Sequence, residues 1–291
     1  MRYFFVVNPV AGLGKSFLVW RRIKEILKEK GVNFDYALTK YPKHATKLTM
    51  EAVKSGFKNI VVVGGDGTVS EVARGVERED VVIGTIPAGR GKDFPKSLNI
   101  PKDPIKALDL ILKGGKIVEV DHPKVDNDRF INACGVGFDA EVSRNANVTY
   151  KNFGALSYAI SIFATIVSWK LPEILIKIDN VVREIPVFFV VIANGPFYGG
   201  GMKVSPYSKI NDGLLDVVIF HKMSKFTLLW NYPGVYTGGK HVNHDRVETL
   251  KARRVEVESK ENLYAHADGD IIGNVPKVFE IDGKKLKFIG G

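Results

Sequence analysis

Along the first 115 residues, the pattern of hydrophobic and polar positions switches repeatedly between strand-like and helix-like runs. Short apolar runs predict strands, and apolar residues spaced three or four apart predict helices between them. The predicted strands are residues 2–7, 32–38, 59–63 and 81–86, and the predicted helices are residues 16–30, 44–55 and 104–113, with a further helix that carries Val69, Val72, Ala73 and Val76. Strands alternating with helices indicate a parallel sheet covered by helices on both faces.

The pattern changes near Lys116, beyond which strand-like runs dominate. They are KIVEVDHPKV, RFINACGVGF, EILIKID, EIPVFFVVIA, LLDVVIF, RVEVES and KVFEI, while only residues 153–169 and 225–236 have a helical pattern. Turn pairs such as Asp179-Asn180 and Asp282-Gly283 separate some of these runs. We predict an α/β domain over residues 1–121 and a mostly antiparallel, sandwich-like β domain over residues 122–291. A cleft is expected between them, and the C-terminal residues can pack back on the first domain.

Length and composition support two folded domains. The chain has 291 residues, of which 45% are hydrophobic and 25% charged, a balance that provides buried cores and argues against disorder. The single cysteine, Cys134, excludes an intrachain disulfide and fits a reducing, cytoplasmic setting. Residues 153–169 are the one candidate membrane segment. They are near the lower length limit for a span and carry hydroxyl side chains, so we predict a buried or interfacial helix.

The formal net charge of +10 predicts attraction to a polyanion. Nucleic acid, nucleotide phosphates and an anionic membrane surface all satisfy that condition. The sequence contains no DNA- or RNA-binding motif and no aromatic run interleaved with arginine, so nucleic acid is not expected. We predict peripheral contact with the anionic inner face of the membrane, and a homodimer stays open as the assembly.

The strongest chemical motif is GGDGTVSE, residues 64–71, which lies between a buried strand and the start of a helix. Glycines let the backbone turn sharply and approach a ligand closely, and a helix N-terminus attracts phosphate. Thr68 is expected to cap the helix or to contact the phosphate, with Glu71 three residues on as in a capping box. Asp66 would repel a phosphate by itself and therefore suits a Mg²⁺-linked or hydroxyl-binding role. An ordinary turn needs fewer glycines than this motif has.

Two further glycine-rich loops follow predicted strands. The first, Gly12-Leu13-Gly14-Lys15-Ser16, lacks the glycine that a P-loop requires where Pro9 stands, and it does not match the dinucleotide-binding fingerprint. It can still bind phosphate through the start of the following helix. The other loop, residues 87–94, reads PAGRGKDF. Three such loops are expected to meet at one edge of a parallel sheet, where α/β proteins bind ligands.

The second domain carries two acidic turns, NDGLLD at residues 211–216 and DGD at residues 268–270, which are individually ordinary turn sequences. A run of three glycines, residues 199–201, indicates either close backbone approach or a mobile loop. The histidines His241, His244 and His266 lack the spacing of a metal centre. No HExxH motif or cysteine pair is present, so zinc is not expected.

In combination, these motifs resemble the diacylglycerol kinase catalytic-domain family, which includes bacterial diacylglycerol kinases, related lipid kinases and sphingosine kinases. The ordered series is NPVAG, GGDGTVSE, IPAGRGKDF, NACGVGFDAEV, GPFYGGGMKVSP, NDGLLDV and ADGD, and it runs nearly the full length of the chain. GGDGT is shared with NAD kinases and phosphofructokinases. The segments NACGVGFDAEV and YGGGMKVSP followed by INDGLLDV are much more specific to lipid kinases.

The resemblance implies a nucleotide site that can be placed by residue number. The ATP contacts that it implies are Asn8, Pro9, Val10, Ala11, Gly12, Thr39, Gly65, Asp66, Gly67, Thr68, Val69, Ser70 and Glu71. In relatives the third loop reads approximately GTxNDF. Here Arg90 and Lys92 replace a threonine and an asparagine, and both can pair with phosphate.

The resemblance also implies a Mg²⁺ site and a base in the second domain. The metal position maps to Lys209, Asp212 and Leu214, with backbone carbonyls from Lys209 and Leu214 serving a cation that prefers oxygen ligands. The base position of relatives, a glutamate, maps to Asp270, whose side chain is one methylene shorter.

The predicted reaction is phosphorylation of a lipid hydroxyl by Mg-ATP, with diacylglycerol or a related lipid as acceptor. Asp66 with Mg²⁺ would neutralise developing charge, and Asp270 would orient or deprotonate the hydroxyl. Two alternatives stay open at this point. One is a kinase of a soluble acceptor such as NAD, and the other is a nucleotide- or lipid-binding protein without catalysis.

Overall fold

The structure is a computed structural model that describes residues 1–147, 149 and 157–291. The chain forms two units, each of which contains its own sheet. The first unit comprises Met1–His122, Gly199–Gly201 and Lys284–Gly291, and the second comprises Pro123–Tyr198 and Met202–Gly283. Residues 153–156, at the start of the helix predicted over residues 153–169, lie outside the described residues.

The first unit contains a six-stranded sheet. Its strands are β1 (Arg2–Val7), β2 (Asn33–Leu38), β3 (Asn59–Gly64), β4 (Val82–Pro87), β5 (Lys116–Asp121) and, from the C-terminus, β17 (Lys285–Gly290). The order across the sheet is β2-β1-β3-β4-β17-β5. Strands β1 to β4 are parallel, and β17 is parallel to β4 but antiparallel to β5. The predicted parallel sheet is confirmed. Strand β17 comes from the C-terminal residues, which were expected to be able to pack on the first domain but for which no strand was predicted.

The helices of this unit are α1 (Lys15–Glu29), α2 (His44–Lys54), α3 (Asp66–Arg74), α4 (Asp93–Ser97) and α5 (Pro104–Leu112). Three of them, α1, α2 and α5, begin and end within one residue of their predicted limits, α3 ends before Val76, and the short helix α4 was not predicted. In α1 the buried residues Trp20, Ile23 and Leu27 recur at helical spacing, and the ring of Trp20 lies 5.2 Å from that of Phe5 in β1. Its apolar stripe therefore fixes which side of α1 faces the sheet.

The second unit contains an antiparallel sheet that curls around its own core. Its strands are β6 (Lys124–Val125), β7 (Asp128–Arg129), β8 (Ala133–Gly137), β9 (Glu173–Ile178), β10 (Val181–Ala193), β11 (Leu215–His221), β12 (Val247–Ala252), β13 (Arg254–Ser259), β14 (Tyr264–Ala267), β15 (Asp270–Asn274) and β16 (Lys277–Glu280). The main path runs β15-β14-β8-β10-β9-β13-β16-β6-β7, and β11 pairs with β10 and with β12. The predicted antiparallel, sandwich-like architecture is confirmed.

The long strand β10 shows why its sequence is apolar on both faces. Val190 and Ile192 belong to the core enclosed by the curled sheet, whereas Val191 and Ala193 belong to a second core on the outer side. The first half of β10 pairs with β9, and the second half pairs with β8 and β11. Because both faces are covered, alternation disappears and the run reads as continuously hydrophobic.

The helices of the second unit include one that the sequence reading misses. They are α6 (Phe138–Asn147), α7 (Ser157–Ser168) and α8 (Lys225–Asn231), followed by 3₁₀ turns at Tyr232–Val235 and Lys240–Asn243. The run RFINACGVGF was read as one strand, but β8 ends at Gly137 and α6 begins at the next residue. Among the described residues, no helix combines the length and hydrophobicity that crossing a bilayer requires.

Candidate active site

Three glycine-rich loops of the first unit lie at the edge where its parallel strands end. The first loop (residues 8–14) follows β1, the second (residues 64–68) joins β3 to α3, and the third (residues 87–94) joins β4 to α4. In the sheet, β1 and β3 are neighbours. The strand that follows β1 in the chain, β2, lies on one side of this pair, and the strand that follows β3, β4, lies on the other. Such a reversal of strand order is the point where open α/β sheets bind ligands. The topology therefore brings the predicted loops to one edge.

Asn8 ties the first loop to the second. Its backbone amide donates to the carbonyl of Val63, and its side-chain amide donates to Thr68 Oγ1, each at 3.0 Å. The Thr68 hydroxyl therefore serves a contact between loops. The N-cap position of α3 is Gly65, and no side chain caps that helix. The expectation that Thr68 caps α3 is wrong, because the capping position has no side chain.

The glycines of the loops allow backbone to pack on backbone. A Cβ on Gly89 would overlap the backbone of Gly65, and a Cβ on Gly12 would lie 2.6 Å from the carbonyl oxygen of Ala88. The amides of Ala88 and Gly89 both donate to the carbonyl of Gly64, at 2.8 and 2.9 Å. Side chains at these glycine positions would force the loops apart.

Gly67 differs from those glycines because a side chain built at this position would extend into open space. It is exposed in the first turn of α3, and no protein atom outside its own turn lies within 4 Å of a Cβ built there. In the same helix Val69 and Ser70 are almost fully buried. Their side chains belong to the interior, so the predicted nucleotide contacts of α3 rest on its first residues.

Asp66 connects the second loop to the third. Its Oδ2 accepts from the backbone amide of Asp93 at 3.0 Å, and its Oδ1 accepts from that of Phe94 at 3.2 Å. Phe94 is fully buried and packs edge-on against Phe288 of β17, with 4.9 Å between ring centroids. Asp66 thus holds the third loop in place, while its predicted part in catalysis stays a prediction.

Asp93 is a buried carboxylate that sequence reasoning overlooks. It is 5% exposed, and its Oδ2 accepts from the backbone amide of Gly200 at 2.8 Å. Burial raises the pKa of Asp93, against the opposing effect of the amides of Gly200 and Gly201 and of Lys96. Residues 199–201 have φ values of +69°, +88° and +102°, which only glycine adopts readily in succession. The three glycines therefore serve close backbone approach to Asp93.

Glu71, Thr39 and Arg90 lie around this edge in different settings. The carboxylate of Glu71 accepts from the backbone amides of Lys43 and Ala45, at 2.9 and 3.0 Å, and so caps α2 instead of forming a capping box in α3. Thr39 follows β2 and donates its amide to the carbonyl of Val7 at 2.8 Å. Arg90 is exposed in the third loop. Their predicted nucleotide contacts stay predictions.

In the second unit, the two acids of the DGD turn have different surroundings. Asp268 and Gly269 have positive φ values and form the two-residue turn between β14 and β15. The Asp268 carboxylate accepts from the amides of three consecutive residues, 131 to 133, at 2.9–3.2 Å. Asp270 is the exposed first residue of β15. The turn is anchored by Asp268 and presents Asp270 to solvent.

The predicted Mg²⁺ turn contains a lysine that the sequence reading did not include. Asp212 Oδ1 accepts from the amide of Leu214 at 3.2 Å, and Asp212 Oδ2 pairs with Lys251 Nζ at 2.7 Å. The same ammonium lies 3.4 Å from Asp216 Oδ2. Burial is the largest single effect on the pKa of Lys251 and lowers it. The two aspartates together outweigh burial, so the pKa of Lys251 is raised above its ordinary value.

This donor set does not fit a resident divalent cation well. A Mg²⁺ ion at Asp212 would compete with Lys251, because the ammonium already pairs with that carboxylate. Within the part of the chain that the structure describes, no group of three or more acidic, histidine or cysteine side chains is arranged for a metal. Lys209 lies exposed just before this turn. The metal assignment of Lys209, Asp212 and Leu214 stays a prediction, and no catalytic step is derived from it.

The second unit also contains an apolar pocket between the outer face of its sheet and its helices. Its lining includes Phe138, Val142, Ile166, Phe189, Phe220 and Leu228. Among the described residues that line it, the polar ones are Asp139, Tyr198, His241 and His244, and none is a lysine or an arginine. Such a surface suits a hydrocarbon chain better than a charged ligand.

Asp139 forms a buried hydrogen-bonded group on the wall of this pocket. Its Oδ2 accepts from the Tyr198 hydroxyl at 2.9 Å and lies 3.1 Å from His266 Nε2. Asp139 and His266 are 6% and 2% exposed. Sequence analysis assigned no role to Asp139, although Asp139 and Glu141 mark the first turn of α6, where acidic residues favour a helix start.

Two family models match nearly the whole chain. The diacylglycerol kinase catalytic domain matches residues 2–125, and the YegS C-terminal NAD kinase beta sandwich-like domain matches residues 132–290. The protein named "Putative lipid kinase YtlR" of Bacillus subtilis is 30% identical, with 94% of each chain covered. A diacylglycerol kinase of Mycobacterium tuberculosis is 28% identical, with 93% of this chain and 89% of that one covered.

Solved structures agree with these sequence comparisons. A crystal structure described as "a putative diacylglycerol kinase" from Bacillus anthracis superposes with a TM-score of 0.82 at 26% identity. The superposition covers 100% of this chain and 95% of that one. This chain belongs to the diacylglycerol kinase catalytic-domain family, and the resemblance seen in its motifs is confirmed. It is an enzyme of the lipid kinase class.

Proposed function

We propose that this lipid kinase transfers the γ-phosphoryl group of Mg-ATP to the hydroxyl of diacylglycerol or of a closely related lipid. The observation that carries the proposal is the apolar pocket of the second unit, which offers hydrocarbon contact along most of its wall. Asp139, Tyr198 and His266 supply a buried polar group at that wall, suited to the glycerol end of a lipid. Mg²⁺ enters as the partner of ATP, as part of the substrate.

The glycine-rich edge of the first unit supports the choice of nucleotide. Backbone amides at the start of α3 and the tightly packed loops form a surface that a phosphate chain can approach closely. Gly67 leaves room for that approach, and Arg90 and Lys92 add positive charge from the third loop. Phosphoryl transfer depends mainly on such positioning and charge neutralisation.

Asp270 is the residue proposed to orient the acceptor hydroxyl or accept its proton. It is exposed at the start of β15, beside a turn that Asp268 holds through three amides. These hydrogen bonds hold the backbone of the turn from which the Asp270 side chain projects. A base must come within about 2.6–3.2 Å of the hydroxyl oxygen, so a turn held in this way favours the assignment.

The soluble-acceptor alternative fits the pocket less well. NAD carries a pyrophosphate, and the described part of the pocket lining contains a carboxylate but neither lysine nor arginine. A pyrophosphate beside buried Asp139 would be repelled and left without a counter-charge. A non-catalytic binding protein is disfavoured by family membership, and the proposed base, Asp270, is an exposed carboxylate at the start of β15.

The reaction is tested by incubating the protein with labelled Mg-ATP and a total lipid extract in mixed micelles. We expect phosphate to enter a neutral glycerolipid, identified by mass spectrometry. Phosphorylation of NAD without detergent would support the soluble-acceptor alternative instead. Tight ATP binding without turnover across a broad lipid panel would support the alternative of a binding protein without catalysis.

The pocket itself is tested by filling it. Ile162 lies in its lining, and Ile162→Trp should raise KM for a long-chain acceptor roughly 10-fold more than for a short-chain one, because bulk excludes the longer chain. Val181→Trp is the matched control, since Val181 is exposed and lies outside the pocket lining. Equal effects of the two variants on chain-length preference would remove the pocket from the substrate site.

A further inference from the structure

The wall of the apolar pocket has an outer surface with its own chemistry. Around α8 and the 3₁₀ turns, some residues of the wall line the pocket, and residues close to them in sequence are exposed to solvent. Met223, Leu228, Val235 and His241 line the pocket. Beside them in the chain, and exposed, lie Lys222, Lys225, Phe226, Tyr236 and Lys240. We define these five exposed residues as the aromatic–lysine face.

The aromatic–lysine face exposes two large aromatic rings. Phe226 is 73% and Tyr236 is 51% exposed. Both occupy positions one or two residues from a pocket-lining side chain, so their exposure is not due to a long loop leading away from the protein. Exposed aromatic rings next to lysines are typical of proteins that lie in the interface of a bilayer.

The two nearby acids, Asp245 and Glu248, each have an arginine neighbour. Asp245 lies 2.9 Å from His244 and 3.8 Å from Arg246, and Glu248 pairs with Arg183 and His221. Within the described residues, Lys222 and Lys240 form no ion pair. The face therefore presents net positive charge around two apolar rings.

We propose that the aromatic–lysine face docks on a bilayer that contains anionic phospholipid, with Phe226 and Tyr236 entering the headgroup region. The lysines complement the negative surface, and each contributes a roughly 5-fold gain in binding, which corresponds to about 1 kcal/mol. Docking here places the outer wall of the apolar pocket against the lipid. That use of the face, supplying lipid to the pocket, rests on the proposed function, whereas the docking itself does not.

The test measures co-sedimentation with vesicles of phosphatidylcholine alone and with added phosphatidylglycerol. Two variants probe the face: a charge reversal, Lys222→Glu with Lys225→Glu and Lys240→Glu, and a ring removal, Phe226→Ser with Tyr236→Ser. The charge control is Lys54→Glu with Lys106→Glu and Lys113→Glu, three exposed lysines of the first unit that give the same net charge. Tyr41→Ser controls for loss of an exposed ring, since Tyr41 is 55% exposed.

Reversal of the face should weaken binding to anionic vesicles by about 100-fold or more, and the charge control should weaken it by less than about 5-fold. Ring removal should weaken binding to anionic vesicles at every salt concentration, and Tyr41→Ser should not. Equal losses in the face reversal and its charge control would overturn the proposal, because binding would then follow net charge alone. Loss of a protein dimer in the ring-removal variant, with vesicle binding intact, would overturn it in favour of self-association.

Activity in mixed micelles separates this inference from the proposed function. The face variants should keep near-normal turnover of a detergent-dispersed acceptor and lose it on vesicles. A protein that binds vesicles through this face but phosphorylates no lipid would contradict the proposed function and leave the docking surface supported. Normal turnover on vesicles by the charge-reversed face would overturn the docking surface and leave the reaction supported.

Discussion

The second loop of the first unit and the DGD turn of the second unit are constructed alike. In each, an aspartate accepts hydrogen bonds from consecutive backbone amides of another segment: two amides for Asp66 and three for Asp268. An exposed position follows each aspartate closely: Gly67 is one residue after Asp66, and Asp270 is two residues after Asp268. One member of each pair builds the turn and the other faces the solvent.

The difference between the two turns concerns what their exposed member offers. Gly67 offers space, which suits the approach of a phosphate chain, and Asp270 offers a carboxylate, which suits a hydroxyl proton. An aspartate in a glycine-rich motif is therefore weak evidence of catalysis by itself. Its hydrogen-bond partners decide whether it is engaged in holding the backbone.

The largest expected effect separates the two acids of the DGD turn. Asp270→Asn should lower kcat by about 10²–10⁴-fold, because a positioned base contributes that much, while ATP affinity and thermal stability stay near wild type. Steady-state kinetics on the identified acceptor measure it. Asp270→Glu restores the longer side chain of relatives and should retain activity. Near-normal kcat in Asp270→Asn would make Asp270 a turn residue only.

Asp268→Asn should show the opposite pattern. Its carboxylate accepts three amide hydrogen bonds, and an asparagine amide would point donors at some of those donors. We expect a loss of about 2–4 kcal/mol in the free energy of unfolding, given about 1.5–3 kcal/mol for each hydrogen bond to a charged group. Chemical denaturation measures this loss. A stable variant that is inactive would move the catalytic assignment from Asp270 to Asp268.

The next largest effect concerns the space at Gly67. Gly67→Val should weaken ATP binding by roughly 10-fold or more, about 1.4 kcal/mol, because the added side chain meets the ligand and not the protein. Isothermal titration with ATP measures it. Gly75→Ala is the matched control at the other end of α3, where a Cβ would lie 2.6 Å from the carbonyl oxygen of Thr46. That control should lower stability and leave ATP affinity unchanged; a reversed pattern would remove Gly67 from the nucleotide site.

Much of the first unit could be predicted because its strands are read from short local patterns. The predicted limits of β1 match the structure, and those of β3 differ by one residue, since both strands are buried apolar runs. Strand β17 shows what such a pattern lacks. Its buried residues Leu286 and Phe288 alternate with Lys285 and Lys287, but its pairing with β4 joins segments about 200 residues apart. Local periodicity carries no information about that partner.

The site was predictable in its loops and less so in its individual contacts. Thr68 and Glu71 have capping-box spacing, yet Thr68 contacts Asn8 and Glu71 caps α2. Spacing in one helix does not reveal an acceptor or donor from another element. Asp139 and His266 are 127 residues apart in sequence, so their contact depends on the strand order β14-β8 and on where α6 begins.

A smaller effect tests whether Asp212 serves a cation or Lys251. Asp212→Asn should change stability by no more than about 1 kcal/mol, because the exposed pair with Lys251 contributes little. If Asp212 also binds Mg²⁺, Lys251→Met should lower the Mg²⁺ concentration that gives half-maximal activity, and Asp212→Asn should raise it. Titrations at fixed ATP measure both. Unchanged Mg²⁺ dependence in both variants would contradict a metal role for this turn.

The smallest expected effect is the pH dependence of stability caused by Asp93. Burial raises its pKa in the folded protein above the ordinary value of 3.8, although the amides of Gly200 and Gly201 and the charge of Lys96 offset part of this. The folded state therefore holds the proton more tightly than the unfolded chain, and stability falls as the pH rises above about 3.8, by at most about 1.4 kcal/mol per pH unit for one group. Asp93→Asn keeps an acceptor for Gly200 and removes the charge. Its stability relative to wild type should be lowest at the acid end and rise through this window to a plateau, as measured by urea denaturation at a series of pH values. A difference that stays constant, or that falls with pH, would mean that the amides of the glycine loop stabilise the ionised carboxylate more than burial disfavours it.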